Sequence, residues 1–190
     1  VKIIIILTTV LILVFQSWTK ADDIKDFEIE GMSIEDSLLD YMSKDEIISN
    51  DEKHYGKNSK FFETEYYGNT ETYQYLLFHV KRNDPKYLIY MVRGINIPHD
   101  LNECLKNKSN IVKEVKSLFK KSKFREGSQK HYFYKNSTQY ISQFDFENKD
   151  MVRIDCVIMN EKDLKIHGSI KDTLEVTIYN SEFRKWLNSL

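Results

Sequence analysis

Ala21 is the single alanine among 190 residues, beside only 2 proline, 2 cysteine, 6 glycine and 5 arginine residues. So little proline and glycine excludes a collagen-like or Pro/Gly-rich chain. Two cysteines are too few for a disulfide-dense miniprotein. A chain that is 41% hydrophobic and 13% aromatic is not a disordered one. Scarce arginine argues against bidentate phosphate readout, and so against nucleic acid as a partner. A phosphate-binding glycine loop, a Gly-x-Ser-x-Gly elbow and a His-Glu-x-x-His pair are all missing. No motif specifies an activity, and none calls for a metal or a cofactor. The residues that fill the chain are 20 Ile, 23 Lys, 13 Asn, 12 Tyr and 11 Phe, the products of AT-rich codons. Placement, not abundance, is therefore the informative property.

Export is the strongest expectation. Lys2 precedes an apolar run from Ile3 to Phe15, broken only by Thr8 and Thr9, and Thr19-Lys20-Ala21 follows. A basic start, a short apolar core and small residues before a cut describe a secretory signal peptide. The run is shorter than the ~20 residues that span a bilayer. The expected cut lies between Ala21 and Asp22, with no cysteine to receive lipid. Residues 1–21 are then a cleaved signal peptide, and residues 22–190 carry net charge −3. That length suits one domain.

Charge is unevenly distributed. Residues 22–72 carry net −10 and residues 106–135 carry net +8. These blocks are either solvated faces, complementary within the fold, or a basic face for an anionic partner. Lys113, Lys116, Lys120, Lys121 and Lys123 are the candidate contacts on that basic face.

The periodicities predict a helix, strands, a long helix, more strands and a short helix. Ser33 reads as an N-cap, with Glu35 and Asp36 behind it and Ile34, Leu38 and Met42 at i+4 spacing. Ser43 to Glu46 offers a capping box for a further short turn. Residues 61–67, 72–81 and 87–97 read as strands, the last two joined by an Asn83-Asp84-Pro85 turn. Asp100 caps a helix whose stripe of Leu101, Cys104, Leu105, Ile111, Val112, Val115, Leu118 and Phe119 is interrupted only by Lys108. A loop is expected around Gly127. Strands are expected at 131–135, 139–147, 151–159, 164–170 and 174–179, and Ser181 should cap a terminal helix. The class is α+β: an antiparallel sheet packed on one face by a long central helix. A helix followed by a meander recurs, which suggests a duplicated unit with halves near 22–98 and 99–190.

Cys104 on the helix stripe and Cys156 on the inward face of a strand point at one interface. In an exported protein such thiols are expected to join, closing a loop of about 53 residues. His54, His79, His99, His131 and His167 are scattered singly. Glu63/Glu65 and Asp145/Glu147 alternate as solvent-facing strand residues. A tyrosine-rich sheet face, running from Tyr66 to Tyr140, is the candidate small-ligand surface.

The stretch from Asp23 to Tyr41, directly after the signal segment, resembles an uncharacterised family of exported proteins from AT-rich marine bacteria. That family usually carries Gly where this chain has Glu35. The resemblance implies export and no established activity. The Gly31-Met32-Ser33 opening is also similar to small envelope modules that assist outer-membrane protein assembly and to the duplicated β-lactamase-inhibitor-like fold, which implies a non-enzymatic binding fold. The expectation is an exported, periplasmic or secreted protein without catalysis or cofactor, binding a protein partner or envelope component. Its membrane contact is limited to passage of the signal segment. The alternatives are small-ligand binding on the tyrosine face and an enzyme without a recognisable motif.

Overall fold

Among the described residues eight strands, six of them rich in β-branched and aromatic residues, form one fully antiparallel sheet. The computed structural model describes residues 24–49, 51–52, 55–168 and 170–190. The signal segment and the cut between Ala21 and Asp22 lie outside the described residues. The strands are β1 (Asp51–Glu52), β2 (Phe61–Tyr66), β3 (Tyr75–Lys81), β4 (Ile89–Asn96), β5 (Lys123–Lys130), β6 (Thr138–Asp145), β7 (Met151–Ile158) and β8 (Thr173–Tyr179). Four helices accompany them in the described residues: α1 (Lys44–Ser49), α2 (Leu101–Leu118), α3 (Glu161–His167) and α4 (Ser181–Leu187).

The strand order is β1-β2-β3-β4-β8-β7-β6-β5. Each half of the chain is thus a meander, and the two meanders join where β4 pairs β8 from Met91↔Tyr179 to Asn96↔Leu174. The expected α+β class is the one observed, with the long helix on one face.

Helix α2 carries the chain from β4, at the centre of the sheet, to β5, at its far edge. Its start is the expected capping box: Asp100 accepts from the Glu103 amide at 2.8 Å, and Glu103 accepts from the His99 amide at 2.7 Å. The buried stripe is Cys104, Lys108, Val112 and Val115, which faces β7 and β8. Lys108 is accommodated in this stripe by donating to Ser142 at 2.6 Å and Glu126 at 3.0 Å. Cys104 and Cys156 are both fully buried, with sulfurs 2.08 Å and Cα atoms 6.0 Å apart, a pair at disulfide distance.

The first meander is covered on the same face by an irregular segment instead of the expected helix. Ile24, Ile29, Met32, Ile34, Leu38, Met42 and Ile47 join one apolar core with Leu76, Phe78, Val92, Ile154, Val176 and Ile178. The helix fails because Glu30 and Glu35 adopt left-handed backbone, at φ 54° and 73°. Only a short 3-10 turn forms, at Leu38–Asp40. The amides of Glu35 and Leu38 bond the Ile89 and Tyr87 carbonyls instead. Apolar residues at i+4 here mark an extended cover laid along β4. The capping box at Ser43 and Glu46 does start α1, with Ser43 N–H donating to Glu46 at 2.8 Å.

Four other expectations change. Residues 123–130, expected as loop, form β5, an edge strand exposed along nearly its whole length, so no burial alternation marks it. Residues 131–135, expected as strand, form the β5–β6 loop. Residues 161–167 form α3, because the Asn160 side chain accepts from the Lys162 amide and caps a helix there. At the last helix the cap is Asn180, one residue before the expected Ser181.

Candidate functional site

The odd-numbered residues of β3, β7 and β8, and those of β4 from Met91 onward, face away from the main apolar core. At one end of this second face α4 seats Phe183 against Phe61, Met91, Met151 and Tyr179, with Trp186 beside them. The centre is ionic. Register aligns Leu77, Arg93, Thr177, Arg153 and Gln143 in one cross-strand row, and Ile95, Glu175, Asp155 and Ile141 in the next. Arg93 meets Glu175 at 3.2 Å and donates to Thr177 at 3.2 Å and to the Tyr179 hydroxyl at 3.3 Å. Burial alone would lower its pKa, but Glu175, Tyr179 and Glu63 hold the guanidinium above its ordinary value. Arg153 lies 2.7 Å from Asp155.

Burial pushes the Asp155 carboxyl up to about 6 against the pull of Arg153. Gln139 donates to its Oδ2 at 3.3 Å, while Oδ1 has no hydrogen-bond partner. A carboxyl with such a pKa could serve as an acid or base. At 2% exposure it is closed to solvent in this structure. Glu63 faces the ring of the buried His79 at 3.4 Å, so this carboxylate belongs to the interior and not to the solvent face expected for it.

The open concavity lies at the end of the β5–β6 hairpin. A groove of about 980 Å³ runs between the start of β5, the β6–β7 turn and α4. Six cations line it, Lys121, Lys123, Arg125, Lys149, Arg184 and Lys185, against three carboxylates, Asp145, Glu147 and Glu182. Two of the carboxylates are engaged. Asp145 binds Arg125 at 2.7 Å and Arg184 at 2.9 Å. Burial opposes its ionisation, yet Gln143, Arg125 and Arg184 hold the carboxyl below its usual range. Glu182 is bonded by Lys60 at 2.7 Å and Lys81 at 2.9 Å, which likewise hold it low. The walls are clamped together, since the Ser181 amide donates to Asp150 at 2.6 Å and Arg184 donates to the Lys149 carbonyl at 3.2 Å. The result is a groove with surplus positive charge, a composition that suits an anion.

Of the lysines singled out in the sequence, Lys121 and Lys123 line this groove. Lys113 and Lys120 are exposed outside it, and Lys116 lies over the Phe124 ring at 3.6 Å. Because α2 ends at Leu118, the five do not share one helix face. Arg125 falls in the same basic block as Lys121 and Lys123, whereas Lys149, Arg184 and Lys185 carry no sequence signal, because the β6–β7 turn and α4 bring them in from separate segments.

The tyrosines form no common face. Tyr66, Tyr73, Tyr87 and Tyr140 pack on the main core, and Tyr67 stacks on Tyr75 at 5.4 Å. Tyr73 lies over Gly94, where a Cβ would meet its ring at 2.6 Å, and burial raises its hydroxyl to about 12. His99 is exposed before α2 and does not line the groove. Among the described residues no three His, Cys, Asp or Glu side chains are placed to hold a metal ion. The fold is α+β, and the groove presents more cations than carboxylates. The sequence matches no protein-family model and no curated protein, and no solved structure matches the chain.

Proposed function

We propose that this chain is an exported, non-catalytic binding protein whose basic groove holds an acidic segment of a protein partner or envelope component. The observation that carries the reading is the groove's surplus of cations, with two of its three carboxylates already engaged by lysine and arginine. Export is supported by the apolar run from Ile3 to Phe15 and by the cysteine pair at disulfide distance, which suits an oxidising compartment. Among the described residues no helix is long and apolar enough to cross a membrane.

Calorimetric titration with an oligoglutamate peptide, with oligoglutamine as control, tests the groove. Binding should weaken steeply with salt. The double variant Lys123→Glu/Lys185→Glu should lose at least about tenfold in affinity, because each reversal exchanges attraction for repulsion. Equal affinity of variant and wild type would move the site elsewhere. Export is tested by the mass of the protein recovered outside the cytoplasm, which should begin at Asp22.

A further inference from the structure

We propose that the β5–β6 loop and the adjoining face of α3 form a docking tip for an anionic lipid surface. This surface is separate from the groove, at the opposite end of the β5–β6 hairpin. It extends membrane contact beyond passage of the apolar leader. Tyr132, Phe133 and Ile166 are 73%, 68% and 70% exposed, well beyond the usual exposure of large apolar side chains.

The loop that presents them is anchored. Asp163 accepts four bonds from it: the Asn136 amide at 3.0 Å, Asn136 Nδ2 at 2.8 Å, the Ser137 amide at 2.8 Å and the Ser137 hydroxyl at 2.6 Å. His131 Nδ1 accepts from the Phe133 and Tyr134 amides, each at 3.2 Å. The His131 ring stacks on Tyr134 at 4.8 Å, and Tyr134 meets His167 at 5.3 Å. Asp163, Ile166 and His167 stand at i, i+3 and i+4, so Ile166 shares the helix face turned to the loop. The backbone is tied down while the aromatic side chains project, so little ordering opposes their insertion.

The surrounding charge selects the partner. Lys135 lies over the Tyr132 ring at 4.7 Å, Lys130 donates to the Asn136 carbonyl at 2.9 Å, and α3 adds Lys162 and Lys165. Of the two acids of α3, Asp163 is turned inward and 2% exposed, while Glu161 is exposed at the helix start, where Lys162 and Lys165 outnumber it. Projecting aromatics ringed by lysine match the interface of an acidic bilayer, where rings sit at headgroup level and lysines meet lipid phosphates.

The test uses the full chain with Phe133→Trp, read as a difference from wild type so that Trp18, Trp186 and the leader cancel. With vesicles of phosphatidylglycerol and phosphatidylethanolamine the added emission should shift to the blue and be quenched by brominated lipid. With phosphatidylcholine alone the shift should be much smaller. Tyr132→Ser/Phe133→Ser should weaken sedimentation with the acidic vesicles by about tenfold or more. Lys135→Glu/Lys162→Glu should weaken it by about fivefold or more per charge, with melting curves unchanged because all four side chains lie at the surface. An unshifted emission from the Phe133→Trp variant would overturn the proposal. So would wild-type sedimentation of the serine variant, or loss on that substitution of a protein contact with no change in vesicle binding.

Discussion

Opening the Cys104–Cys156 pair should lower stability by an amount set by chain length. The two residues are 52 positions apart, so the bond closes a loop of about 53 residues in the unfolded chain. In the chain-entropy description that constraint stabilises the folded state by about 4 kcal/mol. For a domain of this size each kcal/mol corresponds to about 2–4 °C in melting temperature, so reduction should lower it by about 8–16 °C. Both sulfurs are fully buried, Cys104 on α2 and Cys156 on β7, so a reductant reaches them only when α2 lifts from the sheet. Reduction under native conditions should therefore be slow and should accelerate with denaturant. The assay is calorimetry on oxidised wild type, reduced wild type and Cys104→Ala/Cys156→Ala. The variant should melt at or below the reduced form, since it also loses two packed sulfur atoms. A variant melting within about 2 °C of the oxidised protein would refute the argument, as would two free thiols titrated in the unfolded, unreduced chain.

At Asp155 burial raises the folded-state pKa to about 6, above the ordinary aspartate value, so the folded protein holds this proton more tightly than the unfolded chain. That contribution is complete below the ordinary value and is lost as pH rises through about 6. It follows that Asp155→Asn should gain on wild type by on the order of 2–3 kcal/mol between pH 4 and pH 7.5 in denaturant titrations; a pH-independent gap would count against it. At Lys108, Met should be tolerated better than Ala at its partner Glu126, since Glu126→Ala strands a buried ammonium. Because the Glu126 side chain is 57% exposed, the cost is about 1–2 kcal/mol, and equal urea midpoints for the two variants would sink this reading. At Glu35, φ of 73° favours glycine, so Glu35→Gly should be more stable than Glu35→Ala by about 1 kcal/mol in thermal melts. Ala equal to Gly there would mean the left-handed backbone is absent in solution.

What the sequence disclosed followed how strongly burial wrote itself into periodicity. Helix α2 was legible because its cap at Asp100 and its apolar stripe agree, and the Cys104–Cys156 pairing followed from α2 and the alternation of β7. Strands β2, β3, β4, β6, β7 and β8 were legible from their β-branched and aromatic runs. Strand β5 was not, because an edge exposed along nearly its whole length leaves no alternation to read. The first helix was misread because Ile34, Leu38 and Met42 recur at i+4 for a reason other than helix, and a positive φ at Glu35 leaves no trace in a glutamate. The ionic row of Arg93, Glu175, Arg153 and Asp155 was hidden for a related reason. Charged residues at alternate strand positions look solvent-facing until something is laid over them, and only tertiary structure brings α4 and the β5–β6 loop above the second face. The groove was half legible: Lys121, Lys123 and Arg125 stand in a basic block, while Lys149, Arg184 and Lys185 come from distant segments.

Charge segregation acquires a different meaning once the strand order is known. The acidic stretch 22–72 supplies β1 and β2, and the basic stretch 106–135 supplies β5 and most of α2. Those strands stand at opposite ends of an eight-stranded sheet, seven inter-strand steps apart. At about 4.8 Å per step the edges are separated by roughly 34 Å, several times the ~8 Å over which exposed charges are felt at physiological salt. The two edge strands therefore do not neutralise each other. One place where the stretches meet, Phe27 against Phe119 with ring centres 5.9 Å apart, is a contact between rings. The strand edges are thus not placed to complement each other, which leaves the two blocks as solvated faces or as a surface for a partner. The cationic edge is the one where both the groove and the aromatic tip are found, one at each end of the same β5–β6 hairpin.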